Sequence, residues 1–172
     1  TRTRWASFAW PALAGLIGLV VYLRTLLPGV AYGDWGEMQT VPHVLGVAHP
    51  TGYPTYILLA WAFELLPIGS VAFRANLLSA LLIAGTLALT VAILVRLRVR
   101  PVIALGAALA LGAVGTVWSA ATVAEVNALH LFLMATLILL ALRCADERRP
   151  RDLLLGGLLI GLATGNHLLT IF

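Results

Sequence analysis

The chain has 172 residues, 61% of them hydrophobic and 10% charged, with a mean hydropathy of +0.99 and a formal net charge of +4. Soluble globular chains carry about a quarter charged residues, so this composition excludes that class and defines an integral membrane protein. The positive balance does not describe a nucleic-acid face, because all eleven cations are arginines gathered at the ends of apolar runs; a lone Cys144 excludes an internal disulfide.

Taken in order, Phe8 to Leu27 is a run of twenty residues, about 30 Å as a helix and enough to cross the hydrocarbon core. Arg2 and Arg4 precede it, Trp5 and Trp10 stand at its start as interfacial anchors, Pro11 falls in its first turn, and Pro28-Gly29 ends it. A polar loop over residues 28–70 follows. Within it, Tyr53 to Leu66 is an apolar stretch of fourteen residues, short for a crossing and expected to lie in the interface with Trp61 at headgroup level and Glu64 facing water. Ala72 to Val95 is a second span and Pro101 to Trp118 a third. A tight turn, Ser119 to Ala124, leads into a fourth span, Glu125 to Leu142. After the polar connection RCADERRPRD, Asp152 to Phe172 begins a fifth, whose Gly157, Gly161 and Gly165 form a G-x-x-x-G face for close helix packing.

The expected fold is therefore all-α: a polytopic transmembrane helical protein of about five spans, with a large first outer loop that holds an interfacial helix. Residues 1–172 read as one transmembrane domain, a fragment of a longer chain, since there is no initiator Met and the last apolar run stops at Phe172. Nine of the eleven arginines fall in the N-terminal tail and in the connections after spans two and four, which the positive-inside rule makes cytoplasmic. The 28–70 loop is then extracytoplasmic, and it carries three of the acids, Asp34, Glu37 and Glu64. Arginine in place of lysine throughout suggests a GC-rich bacterial genome, hence a bacterial plasma membrane.

Lipid would not tolerate the segment from Tyr32 to Tyr56, with its Asp34, Glu37, His43, His49, three prolines and four glycines, and chemistry is expected there. Asp34-Trp-Gly-Glu37 has the spacing of a capping box. It equally suits a general base with an orienting carboxylate, and with His49 the same oxygens could hold a divalent ion. His49-Pro50-Thr51-Gly52-Tyr53-Pro54 reads as a rigid turn presenting His49 and Tyr53. Thr122-Val-Ala-Glu125 is a second capping-box pattern. His130 lies about 7.5 Å deeper, on the face of Asn127, and His167 reaches a similar depth from the other side. Asn127, His130, Asn166 and His167 either face a cavity or join spans four and five as a buried polar set. Arg24 and Arg74, on the acidic side, either snorkel or pair with a phosphate.

The strings YLRTLLPGVAYGDWGEM, LGVAHPTGYPTY, AFRANLLSA, EVNALH and GLATGNHLLT, in this order, resemble a family of multi-pass membrane proteins first catalogued as a domain of unknown function. That family, glycosyltransferase family 117, is grouped with the lipid-dependent GT-C glycosyltransferases and is related to an animal protein O-mannosyltransferase. The chain departs from its pattern at Asn127, where an aromatic is expected, and at Pro42. The resemblance implies an inverting enzyme that moves a sugar, mannose by family, from a polyprenyl-phosphate donor to a hydroxyl of a protein or glycan at the outer or lumenal face. It implies Asp34 as the essential acidic residue, the base that takes the acceptor's proton, with Glu37 as helper. Arg74, with Arg24, would steady the leaving phosphate, and His49, Tyr53, Glu125, Asn127, His130, Asn166 and His167 would line the donor pocket. No cofactor is firmly implied, and a metal is not required. A transporter or assembly subunit is the alternative from another class. The partners expected are the bilayer, the lipid-linked donor and the acceptor, and no nucleic acid.

Overall fold

A computed structural model describes residues 2–147 and 149–171, with side chains from residue 8 onward. The anchoring expected of Trp5 therefore lies outside the described side chains. Eight α-helices make up the described chain: α1 (Arg2–Thr25), α2 (Gly33–Thr40), α3 (Pro54–Glu64), α4 (Val71–Arg96), α5 (Pro101–Gly112), α6 (Gly115–Thr122), α7 (Val126–Glu147) and α8 (Pro150–Asn166). Short 3₁₀ turns cover Pro42–Val44 and Leu168–Ile171, and no strand occurs among the described residues.

Three helices are long and apolar enough to cross a membrane, within α1, α4 and α7, and a fourth crossing results if α5 and α6 count as one. The straight third span expected over Pro101–Trp118 is instead broken at Ala113–Val114, where α5 and α6 meet at a 73° bend. Of the residues expected as a tight turn, Ser119–Thr122 belong to α6. The break leaves the end of α5 short of helical partners, and the buried Tyr22 hydroxyl of α1 donates to the Gly112 carbonyl at 3.0 Å. Trp118 stands edge-on to the Tyr22 ring at 5.6 Å. The fifth span is also shorter than expected: α8 has 17 residues and ends at Asn166. Pro11 falls inside α1, since that helix starts at Arg2.

α4 is the central helix. It packs against α1, α5, α6 and α7, and α8 lies on α7 and α3. Small side chains face inward, with Ala14, Ala80, Ala104, Ala108 and Ala163 fully buried, while Leu16, Ile103 and Leu154 point out. This inversion is the packing logic of helices in lipid, where close backbone approach replaces a hydrophobic drive inward. The glycines that serve it are not those of the predicted α8 face. Added Cβ atoms at Gly157 and Gly161 would meet nothing within 4 Å, whereas one at Gly18 would lie 2.7 Å from Leu87, and one at Gly85 2.8 Å from Phe132. Gly165 does pack closely, against Thr55 of α3.

The helices have an arginine end and a loop end. At the arginine end Arg96 pairs with Asp146 at 2.8 Å and approaches Glu147, while Arg149 pairs with Glu147 at 2.9 Å. Asp152 is not part of this network; it is buried, and its Oδ2 has no partner. At the loop end lie α2, α3 and the α6–α7 junction, and the site is there.

Candidate functional site

The eight residues of α2 place Asp34 and Glu37 one turn apart. The capping box is not formed: Tyr32 occupies the cap position with no side-chain bond, and Glu37 reaches forward instead of back. Its Oε1 accepts from the His49 backbone N–H at 2.8 Å, and its Oε2 meets His49 Nδ1 at 2.5 Å. The imidazole hydrogen bond and charge hold the Glu37 carboxyl below its ordinary value. The carboxylate in turn raises the His49 imidazole, with smaller contributions from Asp34 and Glu125. Each partner thus favours the charged form of the other. Asp34 accepts no hydrogen bond among the described residues.

The His49–Pro54 segment closes as a turn through Gly52 N–H to His49 carbonyl, 2.8 Å. Tyr53 takes left-handed backbone angles, φ 45°, an unfavourable conformation for a bulky residue. That residue hands the chain into α3 and sets its ring edge-on to His49 at 5.3 Å, the hydroxyl 3.3 Å from Nε2. The row continues to His167, 6.3 Å from the Tyr53 ring, and to His130, 5.1 Å further. His130 and His167 do therefore meet, although His167 sits just past α8 and not within a helix.

The opposite wall comes from the start of α7. Thr122 ends α6, its hydroxyl bonded to Trp118 and Ser119 carbonyls, so the second capping box is absent too. Glu125 accepts from the Asn127 amide at 3.1 Å and, across the pocket, from the Trp35 indole N–H at 3.0 Å. Together these walls enclose a cavity of 550 Å³ lined by Tyr32, Asp34, Trp35, Met38, His49, Tyr53, Glu125, Asn127 and His167, among others. A second cavity of 420 Å³ shares Trp35, Glu125 and Asn127 and extends past His130 to Val117, Ala120 and Leu131.

Three predicted site residues fall elsewhere. Arg74 is engaged by the turn after α3, donating to the Leu66 carbonyl at 2.8 Å and approaching those of Ile68 and Gly69. Arg24 is exposed at the end of α1. No arginine lines either cavity among the described residues. Asn166 is fully buried and donates to the Val126 carbonyl at 3.1 Å, so it joins α8 to α7. Glu64, expected to face water, is 3% exposed; neither of its oxygens has a hydrogen-bond partner, and His43 stands 3.6 Å away. Burial pushes its carboxyl up to about 7, with Arg74 opposing the shift. Sequence reasoning missed Trp35, because an aromatic beside a membrane loop reads first as an interfacial anchor.

One donor atom each from Asp34, Glu37 and His49 lies within 4.8 Å of the others. That set could hold a divalent cation, provided His49 gives up its proton and Glu37 its partner.

The fold and site define an all-α polytopic membrane protein with a carboxylate- and imidazole-lined pocket at one end of its spans. Residues 34–172 match the family described as the Protein O-mannosyl-transferase TMEM260 N-terminal domain, and the chain belongs to that family. It is similar to the protein O-mannosyl-transferase TMEM260 of Mus musculus, 52% identical over 62 residues, which are 36% of this chain and 9% of the relative. The corresponding Dictyostelium discoideum protein is 38% identical over 66 residues, 37% of this chain and 8% of the relative. The matched stretches are thus under a tenth of those relatives' lengths. Both organisms are eukaryotes, so these relatives lend no support to the expected bacterial plasma membrane. No solved structure matches.

Proposed function

We propose that this chain forms the donor-side part of a GT-C-type glycosyltransferase that moves mannose from a polyprenyl-phosphate carrier to a protein Ser or Thr hydroxyl, at the outer or lumenal face. The names of the relatives support the transfer of mannose to protein. The arginine distribution and the position of the pocket at the loop end support the sidedness and a donor that arrives through lipid. One observation carries the assignment of roles: of two carboxylates one turn apart on α2, Glu37 is committed to His49 and Asp34 is left unengaged on the cavity wall.

In this reading Asp34 takes the proton from the acceptor hydroxyl as its oxygen bonds to the anomeric carbon. The bond from that carbon to the phosphate oxygen breaks with its electron pair going to phosphate, which inverts the centre. General-base catalysis of this kind is worth about 10²–10⁴-fold. The leaving phosphate gains charge as it departs, and the cation in the cavity that can answer it is the His49 imidazolium, not Arg74 or Arg24. Glu125, Asn127 and Tyr53 supply hydrogen-bonding groups suited to sugar hydroxyls, and Trp35 a flat apolar surface beside them.

The test uses the full-length protein in nanodiscs, given radiolabelled polyprenyl-phosphate mannose and a mixed membrane and secreted protein extract. Label should pass to protein with wild type and fall at least about a hundredfold with Asp34→Asn, in line with loss of a general base. Equal transfer by both removes Asp34 from the mechanism. Silence with mannose and with other polyprenyl-phosphate sugars moves the assignment to a transporter or assembly subunit.

A further inference from the structure

The cavity's two walls come from segments with little structure of their own. α2 has eight residues, well below the length at which an isolated helix holds in water. The opposite wall follows a non-helical stretch at Val123–Glu125. Both trace to one place, the buried pair Gln39 and Asn76, each 0% exposed. Gln39 Nε2 donates to Asn76 Oδ1 at 2.7 Å and to the Gly29 carbonyl at 3.3 Å, and Gln39 Oε1 accepts from the Ala31 N–H at 2.8 Å. Asn76 Nδ2 donates to the Leu27 carbonyl at 2.7 Å, and the same Oδ1 accepts from the Ala124 N–H at 2.8 Å. One turn along α4, Ser79 Oγ accepts from the next amide, Glu125 N–H, at 3.2 Å.

All four polar atoms of the two side-chain amides are engaged, so the orientation of each amide is fixed: turning either over would set donor against donor and acceptor against acceptor. Burial makes such an error costly, because an unmet polar group there has no water to turn to. The pair therefore ties the Leu27–Ala31 approach to α2, α2 itself and the Ala124–Glu125 strap to a single point on the rigid central helix.

We infer that Gln39 and Asn76 are positioning residues that set the separation between Asp34–Glu37 on one wall and Glu125–Asn127 on the other. Neither lines the cavity. They act on the reaction through the backbone that carries its groups, and the AFRANLLSA string owes part of its make-up to this duty of Asn76 and Ser79. The inference rests on the proposed transferase reading for its effect on turnover, but not for its effect on structure.

The experiment combines amide hydrogen exchange with transfer kinetics on the full-length protein in nanodiscs. Gln39→Ala should speed exchange at least about tenfold at Ala31, and Asn76→Ala likewise at Ala124, with the middles of α4 and α7 unchanged. Asn76→Asp keeps the acceptor for Ala124 but loses the donor to Leu27, so exchange at Ala124 should stay slow. Should the alanine variants fail to fold, Gln39→Met and Asn76→Leu, which keep the bulk and remove the acceptors, carry the test. In transfer, kcat should fall at least about tenfold while KM for the donor moves less than threefold. Unchanged exchange at both amides overturns the inference, and so does faster exchange with normal kcat. If wild type transfers no sugar, the transferase reading fails by itself, and the exchange pattern still decides whether this pair holds the two walls.

Discussion

The Trp35 indole N–H donates to Glu125 Oε2 at 3.0 Å, which joins two residues ninety positions apart across the mouth of the cavity. The bond links α2 directly to the start of α7, and Trp35 lines the cavity beside it. A partly exposed hydrogen bond of this kind contributes about 1 kcal/mol or less. Trp35→Phe keeps a ring and removes the donor. It should lower kcat/KM for the proposed mannosyl transfer by the full-length protein by up to about fivefold, and Glu125→Gln, which retains an acceptor, should lower it less.

The Glu37–His49 pair sets a pH window. Glu37 titrates below its ordinary 4.5, so its contribution is present above that value and disappears as pH falls through the lowered pKa. His49 titrates above its ordinary 6.5, so its contribution is complete below that value and is lost as pH rises through the raised pKa. Transfer plotted against pH should form a plateau spanning at least 4.5–6.5, the ordinary values of the two groups, with its alkaline limb set by His49. Replacing His49 with Gln should remove that limb, and a limb that stays in place would assign it to another group.

Glu64 behaves in the opposite sense to Glu37. Its carboxyl is raised from 4.5 to about 7 by burial, so the folded protein favours the protonated form. Stability is greatest below the unfolded value and declines as pH rises from there through the folded value. At about 1.4 kcal/mol per unit, the difference is on the order of 3–4 kcal/mol above pH 8. Glu64→Gln should therefore raise the melting temperature at pH 8 and leave it nearly unchanged at pH 4, as read by thermal unfolding in detergent.

Arg74 separates a structural from a catalytic role. Its guanidinium holds the carbonyls of the turn at 66–69, and charge-assisted bonds of this type contribute about 1.5–3 kcal/mol when well shielded. Because these bonds are solvent-exposed, Arg74→Ala should cost about 1–2 kcal/mol of stability. The fraction that remains folded should transfer mannose at a rate within about threefold of wild type. A hundredfold loss of kcat would instead place Arg74 on the phosphate.

Two glycines give a packing test. A Cβ at Gly36 would fall inside contact distance of the Ala31 carbonyl oxygen, a backbone atom that cannot swing away, whereas one at Gly157 would meet nothing. Gly36→Ala should destabilise by about 1–3 kcal/mol and disturb α2. Gly157→Ala should be neutral or slightly stabilising, as replacing a helical glycine usually is. Thermal unfolding of the two variants side by side would check the contrast.

Much of the fold was readable because membrane spans announce themselves by length and hydropathy. α4 falls within a residue of its expected ends, and the loop after α1 is where the polar composition put it. The break at Ala113–Val114 was not readable, since Ala-Val-Gly continues an apolar run without proline and only the Tyr22 hydroxyl, ninety residues earlier, reveals it. The pocket side of α2 was legible from Asp34, Glu37 and His49 as unusual residues beside lipid. Their pairing was not, because a D-x-x-E spacing satisfies a capping box and a reach to a distant turn equally well. Glu64 was misplaced because a charge near a membrane boundary is expected to seek water, yet burial beside other loop elements overrode that preference.

The bend between α5 and α6 also has a consequence for the bilayer. With α5 upright, its twelve residues rise about 18 Å and the eight of α6, turned by 73°, add only about 4 Å of height. A hydrocarbon core of about 30 Å is left some 8 Å unfilled on that flank. In that orientation lipid beside α6 would have to dip to meet the polypeptide, and a locally thinned leaflet there would bring headgroups down toward the level of Trp35 and Glu125.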